Sequence, residues 1–220
     1  MSRVVVVGAS QHAKYTIDIM ERQGDDTVVG LVDDTPGAET DLVGYPILGP
    51  VDDLPRLVAE HDLDAAIVAI GDNWSRSQVA ARVAGLCPGL GFATAIHPSV
   101  QIGARTVIGA GTVIMAGAVV NNDGVVGEHA FLATSCSLDH DSRFGAFASF
   151  SPNVATGGAV VIGDYAAVGI GASILHGVTV GAHTVVGAGA TVLGDLPDHV
   201  VAFGTPARVV RTRAEGERYL

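Results

Sequence analysis

The chain is poor in aromatic residues, in basic residues and in cysteine. Of its 220 residues 48% are hydrophobic but only 5% are aromatic, so a core must be built from aliphatic side chains. The two cysteines, Cys87 and Cys136, show neither metal-site nor disulfide spacing, which favours a reducing, cytoplasmic setting. The net charge of −11 argues against a nucleic-acid partner. Gly and polar residues interrupt the apolar segments, so neither a membrane span nor a membrane partner is expected.

The most informative feature present is an apolar residue at every sixth position. This register holds at fifteen of sixteen positions, and only Thr156 is polar. Its members are Ile102, Ile108, Ile114, Val120, Val126, Leu132, Leu138, Phe144, Phe150, Thr156, Ile162, Val168, Ile174, Val180, Val186 and Val192. A period of six is neither the helical period of about 3.6 nor the strand period of about 2, so it indicates a solenoid repeat.

Three such hexapeptides, one on each side of a triangular prism, explain the period. The register residue then points inward and stacks on its equivalents in neighbouring coils. Glycine often follows it, and we expect these glycines to adopt backbone angles closed to other residues. In an ordinary β-sandwich, turns of varied length would shift the register. We therefore predict a left-handed parallel β-helix over residues 96–203.

Residues 1–95 alternate between strand and helix patterns, which predicts a small Rossmann-like parallel α/β domain. The predicted elements are strands at 3–8, 27–32, 64–70 and 91–96, helices at 12–23, 51–60 and 75–85, a cap at Ser75, and a turn at Pro36-Gly37. Residues 204–220 are predicted to be a tail. Its arginines, which are Arg208, Arg211, Arg213 and Arg218, suit either a phosphate-bearing ligand or a solvated surface.

Three polar turns follow strands of this predicted sheet, at the edge where open parallel sheets bind ligands. The first, Gly8 to His12, opens a helix whose free N–H groups favour an anion. The second, Asp33-Asp34, can accept hydrogen bonds from ribose or base, and the third begins at Gly71. Ser10 stands where a dinucleotide fingerprint needs glycine, so a dinucleotide is not expected. These residue types are also common in turns that bind nothing.

Among the histidines, His140 differs because carboxylates flank it in Leu138-Asp139-His140-Asp141. A neutral histidine oriented in this way is suited to general-base catalysis near neutral pH. His176 follows two coils later on the same face, which places the two imidazoles about 10 Å apart at one strand spacing per coil. Hexapeptide carbonic anhydrases bind zinc through such a pair and a third histidine. Gly181 stands at the third position here, so no metal is predicted.

The glycine turn ending in His12, the Val32-Asp33-Asp34 and Ala69–Asn73 segments, the motif around His140 and the segment 203–210 occur in a characteristic order. Together they resemble bacterial nucleotide-sugar acyltransferases of the sialic acid O-acetyltransferase and amino-sugar N-acetyltransferase group. The resemblance extends from Val4 to Val209. It implies a homotrimer in which acyl-CoA, most simply acetyl-CoA, lies between adjacent solenoids, and a nucleotide-linked amino sugar as acceptor.

The resemblance also implies roles for particular residues. Ser10, Gln11, His12, Asp33, Asp34 and Gly71 would form the nucleotide-sugar site, and Ser149, Gly158, Ile170 and Ala188 the acyl-CoA site. His140 would take a proton from the sugar amine as it attacks the thioester, with Asp141 supporting it and a backbone N–H near Gly158 steadying the oxyanion.

Three positions depart from the family pattern. Gln11 replaces a glycine of many relatives, Ala133 replaces an asparagine and Ser149 replaces a second histidine. Ser149 can donate a hydrogen bond but cannot act as a base at neutral pH. Two alternatives to an N-acyltransferase therefore stay open, namely a sugar O-acetyltransferase and a non-enzymatic trimer that binds nucleotide sugars.

Overall fold

The computed structural model describes residues 1–35 and 40–219, and the chain divides into two compact units, Met1–Pro98 and Ser99–Leu220. The turn predicted at Pro36-Gly37 lies outside the described residues. Within the described residues, no helix is long and apolar enough to cross a membrane.

The first unit is built around a mainly parallel sheet. The elements of the unit are β1 (Arg3–Val7), α1 (Gln11–Gln23), β2 (Thr27–Val32), β3 (Asp41–Leu42), β4 (Tyr45–Gly49), a 3-10 turn (Val51–Asp53), α2 (Leu54–His61), β5 (Ala65–Val68), α3 (Asn73–Leu86), β6 (Gly91–Phe92) and β7 (Ala95–Ile96). The strand order in the sheet is β3-β4-β2-β1-β5-β6. Strand β1 pairs in parallel with β2 and β5, and all four of its valines are buried. The predicted parallel α/β domain is confirmed.

Two helix starts place polar groups at the carboxyl edge of this sheet. The Ser10 side chain caps α1 and accepts from the N–H of His12. Helix α3 begins two residues earlier than predicted, and its cap is Asp72. The Asp72 carboxylate accepts from the N–H of Ser75 at 2.8 Å, so the predicted cap at Ser75 is wrong. Asp72 takes the cap position because its backbone is extended, as an N-cap residue requires.

The second unit consists of two-residue strands at six-residue spacing. They are β8 (Gln101–Ile102), β9 (Val107–Ile108), β10 (Val113–Ile114), β11 (Val119–Val120), β12 (Val125–Val126), β13 (Phe131–Leu132), β14 (Ser137–Leu138), β15 (Arg143–Phe144), β16 (Ser149–Phe150), β17 (Ala155–Thr156), β18 (Val161–Ile162), β19 (Ala167–Val168), β20 (Ser173–Ile174), β21 (Thr179–Val180), β22 (Val185–Val186) and β23 (Thr191–Val192), followed by β24 (Val200–Gly204) and β25 (Ala207–Thr212).

The two-residue strands β8 to β23 form three parallel sheets, which we call the three sides. The first side is β8-β11-β14-β17-β20-β23, the second β9-β12-β15-β18-β21, and the third β10-β13-β16-β19-β22. Each strand pairs with the strand one coil on, as in the pair Val125↔Arg143. From Ile114 to Val192 every register residue except Thr156 is buried. This is a three-sided parallel β-helix, consistent with the predicted left-handed form.

The glycine that follows many register residues has a different cause from the one predicted. Gly127, Gly145 and Gly163 do not have positive φ angles. A Cβ on Gly127 would instead lie 2.5 Å from the amide nitrogen of Ala146 in the next coil. The left-handed conformation falls two residues later, as at Asp141 with φ 57°. These glycines therefore permit close approach between coils rather than an unusual backbone angle.

The segment predicted as a tail is largely ordered. Strand β25 pairs antiparallel with β24, and Arg213 beyond it is buried. Arg213 donates to the carbonyl of His183 at 2.7 Å, and Arg211 forms an ion pair with Glu217. Arg208 donates to the carbonyl of Ala207 at 2.9 Å. Backbone and acidic partners within the same chain thus engage three of the four arginines considered for a phosphate.

Candidate active site

His140 lies at the corner where the chain passes from β14 on the first side to β15 on the second. Its Nδ1 lies 2.7 Å from Oδ2 of Asp141, and the His140 side chain is 46% exposed. The hydrogen bond to Asp141 raises the pKa of His140, and the charges of Asp139 and Asp123 add to the effect. With Nδ1 bonded to a carboxylate, Nε2 is the nitrogen left to exchange a proton with a substrate.

Gly158 lies one coil beyond His140, directly against the imidazole. A Cβ on Gly158 would be 2.4 Å from Nε2 of His140. His176 lies one further coil on, and its ring centroid is 6.2 Å from that of His140. The predicted separation of about 10 Å between the imidazoles is therefore wrong, because Gly158 leaves room for the rings to lean toward each other. Across the described residues, no group of three or more His, Cys, Asp and Glu is suited to hold a metal ion.

Three other histidines have a different setting at another corner. Their rings stack with those of two aromatic residues in a column of near-parallel neighbours at centroid distances of 4.5 to 5.4 Å. The column is His129, Phe147, Tyr165, His183 and His199. These histidines pack the repeat and are not part of the site at His140.

The four residues predicted to contact acyl-CoA do not share one corner. Gly158 adjoins His140, whereas Ile170 and Ala188 are exposed at the corner between the third and first sides. Ser149 is on the third side in β16, and its hydroxyl lies 3.4 Å from that of Tyr219. Ser149 is also largely buried, at 9% exposure. Of the four residues, a single protomer thus brings only Gly158 to the corner that carries His140.

In the first unit, a hydrogen bond joins the glycine turn to Asp33. Gly8 leaves β1 with φ 101°, and the N–H of Ala9 then donates to Oδ2 of Asp33 at 2.6 Å. The other oxygen of Asp33 accepts from the N–H of Thr35 at 2.7 Å. Burial opposes the charge on Asp33, but the hydrogen bonds from Thr35 and Ala9 prevail and lower its pKa. Asp33 therefore stays ionised and shapes the turn.

Asp34 points to another part of the unit. Its Oδ1 accepts from the N–H of Val51 at 2.9 Å, and its Oδ2 lies 2.5 Å from Nη1 of Arg82. Arg82 also pairs with Asp52 at 2.7 Å. Asp34 is thus joined to helix α3 and to the 3-10 turn, and the structure does not bring it together with Asp33 in one hydrogen-bond network.

His12 and Gly71 meet where the first and third turns converge. A Cβ on Gly71 would overlap the ring of His12, so any side chain there would force this ring to move. Burial lowers the pKa of His12, and the charge of Arg76 lowers it further. Arg76 is buried and donates to the Gly71 carbonyl at 3.0 Å. No feature of the sequence indicated Arg76, because an arginine inside a helix pattern is expected at the surface.

Ser10 and Gln11 lie beside His12 at the start of α1 and are exposed. They are therefore open to a ligand at the carboxyl edge of the sheet. The structure brings Ser10, Gln11, His12 and Gly71 to one end of the unit, close to the Asp33 turn.

Comparisons with known proteins agree with the two-unit fold. The PglD N-terminal domain family matches residues 3–83, and the bacterial transferase hexapeptide (six repeats) family matches residues 159–194. PerB from Caulobacter crescentus, solved with CoA and GDP-perosamine, is 38% identical over 95% of this chain and 97% of that chain, with a TM-score of 0.88. The acetyltransferase domain of PglB from Neisseria gonorrhoeae, solved with acetyl coenzyme A, is 30% identical over 95% and 99%, with a TM-score of 0.86.

WeeI from Acinetobacter baumannii, at 23% identity over 96% of this chain and 100% of that chain, supports the fold alone, with a TM-score of 0.85. No match was found among curated proteins.

A parallel α/β unit, a hexapeptide β-helix and a histidine–carboxylate pair at one of its corners define the class of hexapeptide-repeat acyltransferases. Within this class, the chain belongs to the PglD-type family, the acetyl-CoA-dependent N-acetyltransferases of nucleotide-linked amino sugars.

Proposed function

We propose that this enzyme transfers an acetyl group from acetyl-CoA directly to the amine of a nucleotide-linked amino-deoxy sugar, with His140 as general base. The observation that carries the proposal is the geometry of His140. Its Nδ1 is held by Asp141 at 2.7 Å, and its Nε2 faces Gly158, where no side chain intervenes. The relatives solved with CoA and GDP-perosamine and with acetyl-CoA support the choice of co-substrate and of acceptor class.

The proposed reaction needs one proton carrier. The neutral sugar amine attacks the thioester carbonyl carbon while Nε2 of His140 accepts a proton from the nitrogen. The Nδ1–H bond to Asp141 stabilises the imidazolium that forms. The tetrahedral intermediate then collapses, the C–S bond breaks, and the imidazolium returns the proton to the departing CoA sulfur. A backbone N–H near Gly158 would stabilise the oxyanion.

We further propose a homotrimer with acyl-CoA bound between adjacent solenoids. Gly158 lies at one corner of the coil whereas Ile170 and Ala188 lie at another, so a ligand between two protomers can meet one corner of each. The second side also exposes apolar Val107, 58% exposed, and borders a groove of about 600 Å³. A monomer mass in analytical ultracentrifugation would contradict this assembly.

The nucleotide is proposed to bind the first unit at Ser10, Gln11, His12, Asp33, Asp34 and Gly71. The exposed start of α1 supplies N–H groups for a phosphate, and the carboxylates supply acceptors for the nucleoside. We place the reaction in the reducing cytoplasm, which agrees with Cys87 and Cys136 both being buried free thiols.

The role of Asp34 can be separated from its structural contacts. We expect Asp34→Asn to raise KM for the sugar nucleotide about tenfold while kcat changes little, because ground-state contacts to the nucleoside are lost. Asp52→Asn is the matched control, since Asp52 pairs with the same Arg82 and is not assigned to the site. Steady-state kinetics with saturating acetyl-CoA measure both. Equal KM values for the two variants would remove Asp34 from the nucleotide site.

The function itself is tested by following thiol release from acetyl-CoA with a panel of UDP-, dTDP- and GDP-linked amino sugars, GDP-perosamine included. We expect release with at least one amine acceptor and none with the matched sugars that carry a hydroxyl in place of the amine. Release only with hydroxyl acceptors would indicate an O-acetyltransferase. Nucleotide-sugar binding without release for any acceptor would support the non-enzymatic alternative.

A further inference from the structure

The hydrogen-bond ladder between coils is irregular beside His140. In the preceding coil, the N–H of Asn121 donates to the carbonyl of Leu138 at 2.9 Å, which is the regular bond from the residue after a register position. At the equivalent place in the His140 coil, the N–H of Asp139 donates to the side-chain oxygen Oγ1 of Thr156 at 3.0 Å. Thr156 is also the one polar member of the six-residue register.

The strand pairing reflects the same change. Strands β11 and β14 pair at two positions, whereas β14 and β17 pair at Ser137↔Ala155 alone. The following coil is regular again, with the N–H of Gly157 donating to the carbonyl of Ile174 at 2.9 Å. The irregularity is therefore confined to the strand that leads into His140.

Asp139, which donates to Thr156, also forms hydrogen bonds with His140 and Asn121. The carboxylate of Asp139 accepts from the backbone N–H of His140 at 2.8 Å and from the Asn121 amide at 2.6 Å, both at Oδ1. The hydroxyl of Thr156, the backbone and side chain of Asp139 and the amide of Asn121 thus form a continuous chain of hydrogen bonds that ends on the backbone of His140.

We propose that Asn121, Asp139 and Thr156 are positioning residues that hold the corner carrying His140 in the orientation needed for proton transfer. A valine at position 156 would complete the apolar register, and it would remove the acceptor for the Asp139 N–H. Thr156 thus breaks the apolar six-residue register next to the coil that carries His140, the proposed general base. This inference rests on the proposed role of His140.

Replacing Thr156 by valine tests the proposal. We expect kcat to fall about tenfold to hundredfold, because small displacements of a catalytic group have effects of this size. Both KM values should change less than about twofold, since no substrate contact is removed. Thr156→Ser keeps the hydroxyl and should restore most of kcat. Wild-type kcat in Thr156→Val, or an equal loss in Thr156→Ser, would overturn the proposal.

The matched control is Thr112→Val. Thr112 is buried at another corner, where its hydroxyl accepts from the N–H of Ala130 at 3.2 Å and donates to the carbonyl of Gly127 at 3.0 Å. Both substitutions therefore remove a hydroxyl bonded to the backbone of the β-helix. The control should lower the melting temperature without lowering kcat. A loss of kcat in both variants would indicate general loosening of the coil and would count against a positioning role.

A pH profile tests the Asp139 part of the network. The charged and titratable groups around His140 are Asp139 and Asp141 on its own coil, Asp123 on the preceding coil, its partner Arg105 one coil before that, and His176. The base works only when deprotonated. Asp139→Asn removes a carboxylate that raises the pKa of His140, so the acidic limb of kcat/KM should move to lower pH. An acidic limb at the wild-type pH in Asp139→Asn would contradict the role proposed for Asp139.

The general-base role of His140 and the positioning role of the network around it can be contradicted by different results. An NMR titration of the His140 ring follows the imidazole without any turnover. If His140→Ala retains activity while Asp139→Asn still lowers the pKa of His140 by NMR, the base assignment fails and the network remains. If His140→Ala is inactive and Thr156→Val is fully active, the base assignment stands and the positioning role fails.

Discussion

Replacing His140 by alanine is expected to lower kcat by about 10² to 10⁴, the usual contribution of a general base. His176, whose ring centroid lies 6.2 Å from that of His140 on the same face, is not in position to take over its role directly. The loss should appear in kcat and kcat/KM together, since the proton transfer occurs only in the transition state.

Two controls separate this loss from damage to the fold. The acetyl-CoA dissociation constant, measured by calorimetry, should stay within about threefold because the exposed imidazole is not assigned a CoA contact. His183→Ala is a matched histidine variant, since His183 stacks in the ring column at another corner and should leave kcat near wild type. An enzyme without His140 that retains more than about a third of wild-type kcat would exclude general-base catalysis by this residue.

Replacing Gly127 by alanine is expected to destabilise the β-helix by about 3 kcal/mol or more, at the upper end of overpacking. The new Cβ would lie 2.5 Å from the amide nitrogen of Ala146 and 2.8 Å from its Cα. These are backbone atoms of the next coil, which cannot rotate away as a flexible side chain can. The coils must separate locally, which lengthens the hydrogen bonds between them.

The matched control is Gly189→Asn. Gly189 has φ 65°, and a Cβ there would meet nothing within 4 Å. Asparagine tolerates the left-handed conformation, so the cost should be below about 1 kcal/mol. Urea unfolding at one fixed protomer concentration measures both. A loss for Gly127→Ala no larger than that for Gly189→Asn would contradict the explanation that close approach between coils selects glycine after the register position.

The repeat was predictable because its physical cause is local and periodic. An inward residue every six positions needs only chain geometry, so the register from Ile102 to Val192 predicts the strands that the structure contains. The corner with His140 and Asp141 was predictable for the same reason, since adjacent residues cannot be far apart. The prediction of glycine conformation failed at Gly127, because the atoms that exclude a side chain there belong to another coil.

The N-terminal turns show the same limit. Their positions after β1, β2 and β5 follow from the alternation of strand and helix. The partners of Asp33 and Asp34 do not follow, since the two carboxylates are adjacent in the chain and yet bond to separate elements. The contact of His12 with Gly71 likewise depends on how α1 and β5 pack, and no local pattern encodes it.

The sequence by itself determined the periodic scaffold, the order of the two units and the histidine–carboxylate pair, because each depends on residues a few positions apart. Only the tertiary structure decided what surrounds that pair. It brought His176 within 6.2 Å of His140 over Gly158, placed Ser149 on a different side of the coil, and linked Thr156 through Asp139 to the His140 backbone. Those contacts join residues one or more coils apart, and their distances are set by how closely the coils pack.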